Sequence, residues 1–268
     1  MRPKSSLKRL CSTCGRPPWR PSPLSEPVAP ARPLLRLVLA VSLDGRLAPP
    51  AGGAAQLGGR GDRRVLEESL AWADGCLIGA RSLRLHRSTC LIHRPQLLQE
   101  RRQAGRSPQP IALVASRSAA FEASLPFFSQ PLERWLLQGG TGVPAHRPGL
   151  EPLPPGFDRQ LPVESWSSAL PELRRLGLER LVLLGGAQLA AGLLQGHWVD
   201  EIQLTLCPVL LGGPHGWCPA PALPWGQSWE LVEHRSLGES ELLLRYRRAA
   251  LIPAEGRNVA SAPASAPP

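Results

Sequence analysis

The stretch LVLLGGAQLAAGLLQGHWVDEIQLTLCPVLLGG, Leu181 to Gly213, alternates two kinds of pattern. An apolar run ends at Gly185-Gly186, and AQLAAGLLQG then places leucine and alanine at helical spacing. After Val199-Asp200-Glu201 a second apolar run leads to Gly212-Gly213. Short apolar runs bounded by glycine are buried strands, whereas the middle segment has the period of a helix. Strand, helix and strand in this order form the unit of a parallel sheet, because parallel neighbours need a crossover between them.

The alternation extends both ways from this core. The sequence predicts strands over 34–42, 75–80, 110–116, 134–140, 180–186 and 200–212. Between them it predicts helices over 62–73, with Asp62 as N-cap, over 165–177, with Ser165 as cap, and over 187–196. Residues 229–237 and 241–248 predict a closing antiparallel hairpin around Gly238-Glu239-Ser240. The implied fold is α/β, a mixed but mainly parallel sheet with helices on both faces. Residues 34–249 are expected to form one domain. The basic, Pro-rich segment 1–33 and the segment 250–268 bury too little apolar surface to offset chain entropy, which predicts disordered tails.

The formal charge of +10 suggests nucleic acid, but its distribution argues against that partner. Seven basic residues stand against Glu26 alone in positions 1–33, and the rest of the chain has no dense basic run. The eight tryptophans are not interleaved with basic residues, as a base-stacking platform requires. No apolar run reaches the ~20 residues of a membrane span. The six cysteines have no framework spacing, so free thiols in a reducing, cytoplasmic setting are expected. Cys11 and Cys14 form a lone C-x-x-C, and His86, Cys90 and His93 have ligand-like spacing, but neither set completes a metal site and no metal is expected.

Ligands of open α/β sheets bind beyond the carboxyl ends of the strands. The glycine pairs at 139–140 and 185–186 fall at such ends. A backbone without Cβ at a helix N-terminus cradles a pyrophosphate, which singles out Gly185, Gly186, Ala187 and Gln188, and likewise Gly79, Ala80 and Ser82. Ser116 and Arg117, after another strand, offer a hydroxyl and a cation for a 2′-phosphate and so favour NADPH over NADH. A glycine pair equally serves a tight strand-to-helix turn without any ligand.

Four segments together resemble a known family. VSLDGRLA (41–48), ADGCLIGARSLR (73–84), LVLLGGAQLAAGLL (181–194) and VDEIQLTLCPVLLGG (199–213) are similar, in order and spacing, to the motifs of the riboflavin-biosynthesis pyrimidine reductases. The resemblance spans about Leu34 to Arg247. It implies a dihydrofolate-reductase-like fold and a homodimer. It also implies NADPH-dependent reduction of 5-amino-6-(5-phosphoribosylamino)uracil to the ribitylamino compound. The deaminase domain of many bacterial members is expected to be absent, leaving a free-standing reductase. The sugar of such a substrate opens to an imine at C1′, which accepts hydride while a positioned acid or solvent protonates the nitrogen. The resemblance places Asp44 near the ribose and nicotinamide as the catalytic candidate, with Ser42 and Arg81 beside it on the substrate side. Asp44 before Gly45 is equally a turn aspartate.

The substrate half departs from the family pattern. The segment LRLHRSTCLI has no acids where the family has an acidic run, and Leu184 stands where it has glutamate. Ser82 and Thr89 are hydroxyls that could replace the lost hydrogen bonds. Two alternatives therefore stay open: an NADPH reductase of another small substrate, and an idle nucleotide-binding paralogue.

Overall fold

The structure is a computed structural model and describes residues 31–53, 55–139, 153–218 and 227–249. The disorder expected of 1–30 and 250–268, the glycine at 140, and Cys11 and Cys14 lie outside these residues. Nine strands form one sheet: β1 (Leu34–Ser42), β2 (Gly75–Gly79), β3 (Ile111–Ser116), β4 (Arg134–Gly139), β5 (Arg159–Val163), β6 (Arg180–Leu183), β7 (Glu201–Cys207), β8 (Trp229–Gly238) and β9 (Glu241–Arg248). Their spatial order is β5-β4-β3-β2-β6-β1-β7-β9-β8. The first seven in that order are parallel, β9 runs antiparallel to β7 and β8 antiparallel to β9, so the expected mixed α/β sheet is present.

Period-2 alternation divides the core between the two faces. Leu35, Leu37, Leu39 and Val41 of β1 pack against α4 (Trp166–Arg175) and α5 (Ala187–Gln195) through Leu170, Leu173, Ala190 and Leu193. Val38 faces the other way, toward Ala73 just past α1 (Arg60–Trp72). That second face is also covered by α2 (Ala80–His86) through Leu83 and by α3 (Pro95–Gln103) through Leu97. Each fully buried leucine contributes about 1.5–3 kcal/mol relative to exposure, so both helical layers are held by the sheet.

Several boundaries differ from the sequence reading. Asp62 is not the N-cap of α1; it lies in the first turn, and the cap position is Gly59, which has no side chain to offer. The cap comes from β9 instead, where the buried Glu241 accepts from Gly59 N at 2.5 Å and from Asp62 N at 3.0 Å. The long strand 200–212 stops at Cys207, because Pro208 cannot donate to the ladder. Strand β5 was not predicted: RQLPV has no alternation and carries Pro162, a residue tolerated there because β5 is the sheet edge. Helices α2 and α3 were also unexpected, the first beginning directly at Ala80. In the hairpin, Glu239 and Ser240 both take positive φ, the two-residue turn that matches strand twist.

The end of the expected N-terminal tail is packed. Arg32 forms a two-pronged pair with Asp200 at 2.7 and 2.8 Å, and Pro33 is buried. The four described cysteines are free. No described helix is long and apolar enough to cross a membrane.

Candidate cofactor and substrate cleft

A cleft of about 1930 Å³ opens along the carboxyl ends of the parallel strands. Gly79, Ala80, Arg81, Ser82, Ser116, Arg117, Gly185, Gly186, Ala187 and Gln188 all line it. The structure thus brings together every expected cofactor-side residue and Arg81. Ser42 and Asp44 are not among its lining residues.

The glycine ends are built against each other. Gly79 N donates to Gly185 O at 2.9 Å, and Leu184 N donates to Leu77 O at 2.9 Å, so the ends of β2 and β6 abut. Gly185 has φ +98°, a conformation that side chains rarely adopt, and its peptide bond to Gly186 is cis. Gly186 is the N-cap of α5 with no side-chain cap, so the first N–H groups of that helix meet no capping side chain. A Cβ on Gly186 would stand 2.6 Å from Ser82 Oγ. Bare backbone, helix N-terminus and hydroxyl therefore converge on one spot, as an anion requires.

Farther along, Ser116 Oγ donates to Ser118 O at 2.6 Å and accepts from Ser118 N at 3.2 Å, closing a small turn. Arg117 is exposed at this turn and has no ion-pair partner among the described residues. Ser165 caps α4 by accepting from Ser168 N, as expected, and also lines the cleft. The charged lining is mostly basic, with Arg63, Arg81, Arg84 and Arg117 against the carboxyls of Asp62 and Glu164.

Asp44 holds a loop. Its Oδ1 accepts from Ser42 Oγ at 2.6 Å and from Leu211 N at 3.1 Å, and its Oδ2 accepts from Gly212 N at 2.7 Å. The Ser42 hydroxyl, helped by these amides, holds the carboxyl at about 2. A depressed carboxylate keeps such contacts at every pH above its ordinary range and loses them only as pH falls toward that value. The turn at Gly45 and the segment 209–213 are therefore tied together through the neutral range.

The segment after α2 has a different support. Glu67, buried in α1, accepts from His93 N and Arg94 N, each at 3.0 Å. Thr89 and Cys90 line the cleft, and Cys90, Leu66 and Leu184 pack against the buried cluster of Leu70, Cys76, Ile92 and Leu97, apolar side chains in place of acids. Among the described residues no cluster of three or more His, Cys, Asp or Glu side chains could hold a metal ion. The sequence reading missed Asp62 as a cleft residue, because nothing local separates it from a capping aspartate.

The profile of the RibD C-terminal domain matches residues 33–243. A curated relative, the 2,5-diamino-6-ribosylamino-4(3H)-pyrimidinone 5′-phosphate reductase of Methanothermobacter thermautotrophicus, is 26% identical over 186 residues, covering 68% of this chain and 81% of that protein. Acinetobacter baumannii RibD shares the fold at a TM-score of 0.64 and 18% identity. The match covers 82% of this chain, which spans only 59% of that one. Dihydrofolate reductase from Enterococcus faecalis, solved with NADP(H), matches at a TM-score of 0.50 and 13% identity over 81% of this chain and 97% of its own. The architecture is thus dihydrofolate-reductase-like.

Proposed function

The chain belongs to the RibD C-terminal domain family, and from that premise we propose that it is an NADPH-dependent reductase of a ribosylaminopyrimidine 5′-phosphate in riboflavin biosynthesis. The substrate is the uracil form implied by the sequence motifs or the 2,5-diaminopyrimidinone form named for the archaeal relative. The observation that carries the reading is the basic cleft on which the glycine ends of β2 and β6 and the Ser116–Arg117 turn converge.

The residues present fit a dinucleotide. Gly186, where a Cβ would collide with Ser82 Oγ, leaves room for a pyrophosphate against the N-terminus of α5. Ala187, Gln188, Ala80 and Ser82 would complete that cradle, and Arg117 beside Ser116 would take the 2′-phosphate. When bound, the dihydronicotinamide supplies a hydride. Arg81 would meet the substrate phosphate, and Leu66, Leu184 and Cys90, which line the cleft, would keep water from the pyrimidine side. Asp44 enters as a positioning residue through the 209–213 loop. We place the enzyme in the cytoplasm as a homodimer; the exposed Leu231, Val232 and Leu242 on the β8–β9 hairpin are apolar surface that a second copy would cover.

Titration of the full chain with NADPH and NADH, followed by NADPH oxidation with each pyrimidine, tests the reading. NADPH should bind about tenfold or more tightly than NADH, and Arg117→Ala should erase the preference. Binding without turnover of either pyrimidine would favour a different small substrate, the alternative supported by Leu184 and the acid-free segment. Failure to bind either nucleotide would leave an idle paralogue. Asp44→Asn places an amide N–H2 against the Leu211 or Gly212 N–H and loosens the loop. Turnover is expected to fall about tenfold or more while NADPH affinity stays within about twofold, since small misplacements near a reacting centre cost that much.

A further inference from the structure

The cleft has two lining carboxyls among the described residues, Glu164 and Asp62, carried by different elements. Glu164 adjoins Ser165 at the start of α4, beside Gly139 of β4. Asp62 belongs to the first turn of α1 and faces Thr205 of β7 and Glu241 of β9. In the sheet order, β7 and β9 lie beyond β1, on the side away from the β3, β2 and β6 ends that would form the cofactor cradle. Asp62 is therefore the carboxyl on the substrate side. Glu67, the nearest other acid of α1, does not line the cleft and already accepts from three donors.

We propose that Asp62 is a catalytic residue of the reduction, the acid that protonates the imine nitrogen of the ring-opened ribosylaminopyrimidine as hydride reaches C1′. The proposal rests on the reductase reading above. In the step, hydride and its electron pair form the new C1′–H bond. The C=N π pair moves to nitrogen, and the proton on the Asp62 carboxyl forms the N–H bond. The carboxylate left behind regains a proton from water.

The surroundings favour the protonated form of this carboxyl over that of an ordinary aspartate. Burial pushes the Asp62 carboxyl up, the Thr205 hydroxyl opposes the rise, Glu241 adds to it and Arg63 opposes it. The remaining titratable neighbours are Cys207 on β7 and Cys90 after α2, thiols whose own titration burial drives up. Gly58 lies against the carboxyl, where a Cβ would come within 1.9 Å of Oδ2, so no side chain from that position covers it. Thr205 and Glu241 are themselves 2% and 4% exposed, a buried polar support behind one side chain.

Two measurements on the full chain test this. Carboxyl carbon NMR of the protein labelled at aspartate should show one resonance titrating above the ordinary range, missing in Asp62→Asn. The turnover of NADPH with the accepted pyrimidine should fall as pH rises through that same midpoint. Asp62→Asn should slow turnover about a hundredfold and flatten the falling limb, with NADPH affinity within about twofold. Thr205→Val removes the hydroxyl that favours the carboxylate, so the NMR midpoint and the falling limb should move together to higher pH. Turnover within about threefold of the parent in Asp62→Asn, or a falling limb unchanged in it, overturns the proposal and leaves the reductase reading standing. A parent protein that binds NADPH but reduces neither pyrimidine removes the substrate reading and the proposal together.

Discussion

Gly186→Val is expected to abolish NADPH binding while the protein still folds. The backbone at Gly186 has φ −77° and ψ −177°, extended values open to any residue, so the chain need not rearrange to accept valine. The obstacle is the side chain. Its Cβ would arrive 2.6 Å from Ser82 Oγ, and although the hydroxyl can rotate away, the γ-methyls then fill the space before the first N–H groups of α5. Replacing glycine by valine at an N-cap costs about 1 kcal/mol of helix stability, a shift of a few degrees in Tm. Affinity should fall far more, by about a thousandfold, because the methyls would occupy the space the phosphate needs before these amides and beside Ser82 Oγ. Gly186→Ala, which adds only the Cβ, should give an intermediate loss. Fluorescence titration of both variants reads the order directly, and an unchanged NADPH affinity in the valine variant would disprove the placement of the pyrophosphate.

The second large effect is expected far from the cleft. Arg101, 2% exposed, ends the last turn of α1 from outside: its guanidinium donates to Leu70 O, Ala71 O and Ala73 O at 3.2, 2.9 and 2.5 Å, and to Ser107 O at 2.8 Å. Burial lowers its titration to about 10, so the group is charged throughout the physiological range. Arg101→Met keeps the aliphatic stem but strips donors from four carbonyls, of which Arg106 also reaches only Ala71 O. Loss of about 3 kcal/mol is expected, enough to lower the denaturation midpoint visibly. NADPH affinity should not change at temperatures where the variant is folded, because α1 presents its other end to the cleft. A loss under about 0.5 kcal/mol in urea unfolding would show that water replaces the guanidinium at no cost.

All strands but β5, the mainly parallel class of the sheet and the glycine ends were legible in the sequence. Apolar periodicity and glycine punctuation are local signals, and the local geometry they report survives folding. The glycine-lined half of the cleft follows from them, because strand ends in a parallel sheet must share one edge. Ser165 as a helix cap was legible for the same reason, since its partner Ser168 is three residues away.

What the tertiary structure decided has partners far apart in the chain. Asp62 looks like a cap until Glu241, 179 residues later, takes the capping role and leaves Asp62 beside Thr205 at the cleft. Asp44 looks like a site residue or a turn residue until Leu211 and Gly212 occupy its oxygens. Arg32 reads as tail until Asp200 pairs with it. Strand β5 forms because β4 offers it an edge, not because RQLPV prefers to be extended. In each case the deciding hydrogen bond joins segments that no period or spacing relates. The sequence alone therefore determined which backbone ends could hold a cofactor, whereas only the fold determined which carboxyl lines the cleft beside Thr205. Burial and hydrogen bonding set a carboxyl's charge, and both are properties of its neighbours in space.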